Sequence, residues 1–192
     1  MHRRWLAVQY LLIMAYSDLL IDKSHIKQFA QMSKHMNEED QLQHHIRAAQ
    51  NVDIEPVLGN EFFFDMVENR DDAKYTLLLN GGTYTFDNKI YSFMGLRSAL
   101  ACYAYGRYLL TSNIVNTPFG TQTKQNSEYA TPVSSKQLQE AAQEKKSEGL
   151  KYLSDCLLFL NRKASDYPLW QERSSNVNSL PQTVRFGRPK KY

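Results

Sequence analysis

Hydrophobic positions recur at helical spacing along most of the chain. A short helix is predicted over residues 21–30, with Asp22 or Ser24 available as its N-cap. A longer helix is predicted from Asn37 to Pro56, because the residue before a proline is disfavoured in the helical region. Its apolar stripe comprises Leu42, Ile46, Ala49 and Val52.

Three adjacent phenylalanines mark the next predicted helix. Phe62, Phe63 and Phe64 point in different directions around a helix, so they cannot share one face. At least one of them must meet a second surface, either core from another direction or a partner. A further short helix starts at Asp71 and stops at the Asn-Gly-Gly of residues 80–82.

A small β-hairpin is predicted in the middle of the chain. Two β-prone runs, residues 83–86 and 89–93, flank the turn-forming pair Asp87-Asn88. An isolated hairpin is marginally stable in water, so this one must lie on helices or on a neighbour.

Two helices and a loop complete the predicted body. Residues 96–110 are apolar around most of the helix and form its central element. Residues 113–134 show no helical periodicity, and a loop of that length is typical of a functional or disordered segment. Ser134 and Gln137 match a capping box at the start of a helix that runs to about Asn161. Its predicted stripe comprises Leu138, Ala141, Ala142, Leu150, Leu153, Leu157 and Leu160.

Together these elements predict a mainly α protein, a helical bundle with a small β-hairpin, a long projecting loop and flexible termini. We divide it into an N-terminal extension (1–20), a helical domain (21–170) and a basic tail (171–192). The apolar run 5–16 in the extension has three interpretations: a signal-peptide mimic, an amphipathic arm that docks on the domain or a neighbour, or residues added by an upstream start codon. It is too short to span a bilayer.

Composition and charge add few functional signals. The net charge of +3 is too small to indicate nucleic-acid binding by the whole domain. Residues 174–192 carry four basic residues and no acid, which suits a solubilising end, an acidic protein partner or DNA phosphates. Cys102 and Cys156 lack metal-ligand spacing and are expected to be buried thiols in a reducing compartment.

The sequence contains no catalytic constellation. It has neither a glycine-rich phosphate loop nor a GxSxG motif. His44 and His45 are adjacent, so they point in different directions and cannot clamp one metal ion, and both are expected to be solvated surface residues. We therefore predict no catalytic residue, no metal, no cofactor and no enzymatic activity.

Several segments in order resemble the head–tail connector (adaptor) family of tailed bacteriophages. The first is residues 46–59, IRAAQNVDIEPVLG, similar to that family's first long helix and its proline–glycine break. The others are LLNGGTY at 78–84, MGL at 94–96, and TPFG at 117–120 followed by Lys124 and the capped last helix. The order and spacing resemble versions in phages of Bacteroides-type hosts, including crAss-like phages. The resemblance covers about residues 20–160, leaving out the extension and the tail.

The resemblance implies a structural virion protein made in the host cytoplasm. Family members form rings, commonly of about twelve copies, between the portal protein and a downstream neck or tail protein. Genomic DNA passes through the ring without sequence-specific contacts, and no membrane is involved. We expect the loop to contact the adjacent subunit and the tail to contact the portal. The predicted partner-binding residues are Thr117, Phe119, Gly120, Lys124, Tyr129, Arg185, Arg188, Lys190 and Lys191.

A second function is compatible with the same residues. A small helical nucleic-acid-binding or regulatory protein would act through the basic tail, and its DNA affinity would fall steeply with salt.

Overall fold

The structure of the 192-residue chain is a computed structural model. The structure describes residues 19–32, 41–118, 120–123 and 133–170. The predicted start of the second helix at Asn37 lies outside these ranges. The described part is mainly α-helical with small antiparallel hairpins, which confirms the predicted fold class.

The elements follow one another with short connections. The helices are α1 (Lys23–Lys27), α2 (Gln43–Ala48), α3 (Glu55–Leu58), α4 (Asn60–Glu68), α5 (Ala73–Asn80), α6 (Leu96–Thr111) and α7 (Ser135–Arg162). A π-helical segment, Ala49–Ile54, joins α2 to α3, and a 3₁₀ turn, Ala164–Asp166, follows α7. The strands are β1 (Gly82–Phe86), β2 (Lys89–Phe93), β3 (Ile114–Thr117) and β4 (Gly120–Thr123).

Helix α6 is the centre of the core, as its apolar sequence predicts. It packs against α7, α2, α1, α5 and the π-helical segment. Leu96, Ala99 and Leu100 on α6 are completely buried. The core is one contiguous cluster that extends along the chain from Leu20 to Tyr167. The described residues therefore form a single packed unit.

Small residues allow α6 and α7 to approach closely. A Cβ placed on Gly149 would lie 3.2 Å from the Ala99 carbonyl oxygen and 3.2 Å from the Cys102 Cβ. Gly149 therefore faces the core, and the next residue, Leu150, is turned outward and is 37% exposed. The prediction that Leu150 belongs to the buried stripe is wrong for this reason, whereas Leu153, Leu157 and Leu160 are buried.

The prediction that the second helix ends at Pro56 is also wrong. The helix continues from Gln43 through the π-helical segment to Leu58 and stops at Gly59, whose φ is +84°. Pro56 lies in the first turn of α3, where the missing N–H removes no α-helical hydrogen bond. The wider π-helical turn also rotates Val52 out of the predicted stripe, and Val52 is 53% exposed.

The other differences are local. Helix α1 is shorter than predicted, but its capping box on Asp22 confirms one of the two expected caps. Helix α5 begins at Ala73, two residues after the predicted start. The capping box of Ser134 and Gln137 at the start of α7 is present.

Two glycines position the predicted hairpin between α5 and α6. Gly81 (φ +77°) and Gly95 (φ +81°) lie against each other at its base. A Cβ on Gly81 would lie 2.4 Å from the Met94 carbonyl carbon, which only glycine avoids. At the other end, Asp87 and Asn88 both have positive φ, as a two-residue type I′ turn requires. The hairpin β1–β2 is therefore held at its base and closed at its tip.

The predicted loop 113–134 contains a second hairpin that the sequence analysis missed. Strands β3 and β4 pair antiparallel, with Ile114 opposite Thr123 and Thr117 opposite Gly120. Their Thr, Asn and Gln residues lack the apolar alternation by which a strand is recognised from sequence.

Candidate partner-binding surfaces

The hairpin β1–β2 exposes apolar side chains next to the helical body. Ile90 is 78% exposed, Met94 50% and Phe86 40%. Opposite residues in the hairpin are Tyr84–Tyr91 and Thr85–Ile90, so Ile90 lies on the face away from the tyrosines. Phe86 lies opposite Lys89 on the tyrosine face, so Ile90 is a single exposed apolar side chain on the outer face. It is a candidate contact with a partner, because burying it would remove apolar surface from water.

The inner face of this hairpin is fixed to α7. Phe93 stacks on Phe159 with ring centroids 4.5 Å apart, and Arg162 donates a hydrogen bond of 3.0 Å to the Tyr84 hydroxyl. The Arg162 guanidinium also lies 3.9 Å from the centroid of the Tyr91 ring, at cation–π distance. These contacts hold the hairpin rigidly, so Ile90 is presented on a preorganised surface.

A second exposed surface lies on α4. Phe64 is 58% exposed, whereas Phe62 and Phe63 are buried, which agrees with the prediction that the three rings cannot share one face. Glu61 and Glu68 lie one turn away on either side of Phe64 and are exposed. The surface is therefore apolar at its centre and acidic at its edges.

The predicted partner-binding residues fall into two groups. Thr117 and Gly120 are the closing pair of the second hairpin, and a Cβ on Gly120 would meet no atom within 4 Å. A side chain at position 120 would therefore point into open space. The remaining predicted residues lie outside the described ranges: Phe119, Lys124, Tyr129, Arg185, Arg188, Lys190 and Lys191.

A buried polar cluster lies where the π-helical segment meets α6. Arg107 binds the Asp53 carboxylate in a bidentate manner, with Nε–Oδ2 at 2.7 Å and a second nitrogen–oxygen distance of 2.9 Å. The Thr111 hydroxyl donates to the Tyr108 carbonyl oxygen at 3.1 Å and lies 3.0 Å from His45 Nε2, so an Nε2–H of His45 can donate to it.

The prediction that both histidines are solvated is wrong for His45. His45 is only 7% exposed, whereas its neighbour His44 is exposed. Burial, assisted by the nearby His44 and Arg107, lowers the pKa of His45 to about 4. Adjacent residues on a helix point in different directions, and the sequence does not reveal which of the two faces the core.

Other chemically active groups in the described chain are inert in their surroundings. Cys102 and Cys156 are buried thiols, as predicted, and burial raises the pKa of Cys102 to about 12. Within the described ranges, no three His, Cys, Asp or Glu side chains come close enough to hold a metal ion. No described helix is both long enough and apolar enough to cross a membrane.

The two exposed apolar surfaces have sequence signals that can be recognised in retrospect. In the run 89–93 the alternation of residues places Tyr91 and Phe93 on one face and Ile90 on the other. The run of three phenylalanines in α4 leaves one of them outside the core.

The fold is that of a mainly α-helical protein with exposed apolar side chains on the hairpin β1–β2 and on α4. A family model described as "Family of unknown function (DUF6712)" matches residues 54–179, more than half of the chain. The chain belongs to that family. No curated protein and no solved structure matches the chain.

Proposed function

We propose that this chain is a structural virion protein, a head–tail connector that forms a ring between the portal protein and the neck or tail. The observation that carries the proposal is the Ile90 side chain, which is 78% exposed on the outer face of the rigid hairpin β1–β2. A side chain of this kind gains by burial against a neighbouring subunit, at about 25 cal/mol per Å² of apolar area removed from water.

The ordered resemblance to the connector family supports the same function. Its segments coincide with structural junctions of this fold. LLNGGTY leads from α5 into β1 and contains Gly81. MGL leads from β2 into α6 and contains Gly95, which faces Gly81. In TPFG, Thr117 ends β3 and Gly120 begins β4. We therefore assign the second hairpin to the contact with the adjacent subunit, and the surface around Ile90 to a ring contact as well.

The basic tail supplies the proposed contact with the portal. The four bases of residues 174–192 account for more than the whole net charge of +3, because the remaining chain has 19 basic and 20 acidic residues. The charge is thus concentrated in one segment, which suits an acidic surface of the portal protein.

The test is electron microscopy of the full-length protein mixed with its cognate portal protein. A closed ring stacked on the portal supports the proposal, and the images would identify the segments in contact. A protein that neither binds portal nor occurs in virions contradicts it. DNA affinity of the isolated monomer that falls steeply with salt would then favour the nucleic-acid-binding alternative, which acts through the tail.

A further inference from the structure

A groove runs along the outward side of the helix formed by α2 and the π-helical segment. Its volume is about 480 Å³. The lining residues are Gln43, His44, Arg47, Ala48, Asn51 and Val52. The opposite side of the same helix, with Leu42, Ile46 and Ala49, is completely buried. The groove is thus separate from the face that packs in the core. Val52, which is 53% exposed, forms an apolar part of its lining.

The chain enters the described body next to this groove. The Leu20 N–H donates a hydrogen bond of 3.1 Å to the Gln50 side-chain oxygen, and Arg97 Nε donates to the Leu20 carbonyl oxygen at 2.9 Å. Leu20 is 2% exposed, so its backbone is fixed on both sides. Gln50 is buried, whereas Asn51 and Val52 are exposed, so Leu20 lies across the helix from the groove, at about one helix diameter, ~10 Å.

We infer that residues 1–18 of the same chain dock in this groove. Trp5–Tyr16 is a mostly apolar run, and covering it removes apolar surface from water. Eighteen residues span about 27 Å as a helix and about 60 Å when extended, whereas the ten-residue groove is about 15 Å long. The segment is therefore long enough in either conformation.

The anchoring at Leu20 favours the chain's own segment over that of a second copy. A short tether gives an effective concentration in the millimolar range, well above the concentration of free protein. The inference selects the docked arm among the three interpretations of the N-terminal run. It does not depend on the connector function, because the groove and its occupant belong to one chain.

Trp5 provides a direct test. The chain has two tryptophans, so Trp170→Phe leaves Trp5 as the only indole. We expect its fluorescence to be blue-shifted and several-fold less quenched by acrylamide than in urea. Adding Val52→Glu should move both values to those of the unfolded protein. The matched control is Leu158→Glu, which places the same charge at an exposed apolar position on α7 and should leave Trp5 emission unchanged.

Three results would overturn the inference. The first is a Trp5 that is as exposed in the Trp170→Phe protein as it is in urea. The second is a shielded Trp5 whose emission stays unchanged when Val52→Glu is added. A blue shift that vanishes on dilution would assign the segment to a second copy. Circular dichroism establishes that each variant is folded, and Asn51→Glu tests the groove at a second exposed position.

Discussion

At the scale of single residues, buried polar groups determine how the protein responds to pH. His45 is held neutral by burial and by the nearby positive charges of His44 and Arg107, and Arg107 also pairs with Asp53. A buried charge without a partner is costly, so protonating His45 beside Arg107 would weaken the packing of α2 on α6. This cluster therefore contributes stability only while the imidazole is neutral.

The lowered pKa of His45 predicts acid sensitivity. In the unfolded chain the pKa is near its ordinary 6.5, and in the folded protein it is about 4. Between these values the unfolded state binds a proton that the folded state does not. Stability is thus complete above pH 6.5 and is lost as the pH falls towards 4, by on the order of 3 kcal/mol.

Urea unfolding at several pH values measures this effect. The difference between the parent and His45→Gln isolates the histidine from the carboxylates, and we expect a shallower pH dependence in the variant. His44→Gln, at the exposed neighbour, should keep most of the parent's dependence. Identical pH slopes for the parent and His45→Gln would contradict this account.

At the scale of elements, backbone contacts between glycines are as important as side-chain packing. Gly81 and Gly95 bring the two ends of the hairpin β1–β2 together, and this fixes the hairpin relative to α5 and α6. A side chain at either position meets backbone atoms, which cannot move aside as a flexible side chain can.

Gly81→Ala should therefore be strongly destabilising. The positive φ alone costs an L-residue about 1–2 kcal/mol, and the contact with Met94 adds to this cost. We therefore expect the free energy of unfolding to fall by more than about 3 kcal/mol. The measurement is chemical unfolding followed by circular dichroism. Gly120→Ala is the control, because Gly120 also has a positive φ but has open space where a Cβ would lie. This variant should lose only the part of the free energy of unfolding that comes from the positive φ. Equal losses for the two variants would show that the contact at Gly81 has no cost.

The element scale also shows what could be predicted from the sequence. Periodicity predicted α6, α7 and the first hairpin because their apolar residues repeat regularly and their turns have distinctive residues. The expectation that a helix ends before a proline failed at Pro56, which lies in the first turn of α3. Periodicity failed at Val52, because a π-helical segment changes the rotation per residue without a sequence mark. Among the candidate site residues, Thr117 and Gly120 came from the TPFG segment of the family resemblance, but the exposure of Ile90 depends on which hairpin face meets α7.

At the scale of the whole molecule, the exposed surfaces lead to a test of assembly. Ile90→Lys should prevent ring formation, because burying an unpaired ammonium group opposes the contact. Its thermal stability should match the parent's, since Ile90 is 78% exposed in the monomer. Analytical ultracentrifugation with and without portal measures the effect. Leu110→Lys is the control. Leu110 is an exposed apolar residue about 21 Å along α6 from its first residue, Leu96, which follows the hairpin, and the variant should assemble normally.

The distribution of charge over the whole molecule gives the last prediction. Deleting residues 185–192 removes four positive charges and no acid, so the net charge changes from +3 to −1. If each base forms one surface ion pair with the portal, at about 0.2–1 kcal/mol, the deletion should weaken portal binding by about tenfold to a hundredfold. Salt should weaken the parent's binding more than the variant's.

We expect the fold to be retained, because the hydrophobic core of the described ranges, from Leu20 to Trp170, contains none of the deleted residues. A full-length variant with glutamine at Arg185, Arg188, Lys190 and Lys191 controls for chain length, and it should lose as much affinity as the deletion. Binding equal to that of the parent would assign the tail another function. A deletion variant that instead loses salt-dependent DNA affinity would indicate that the tail binds nucleic acid, because both kinds of partner are recognised through the same four charges.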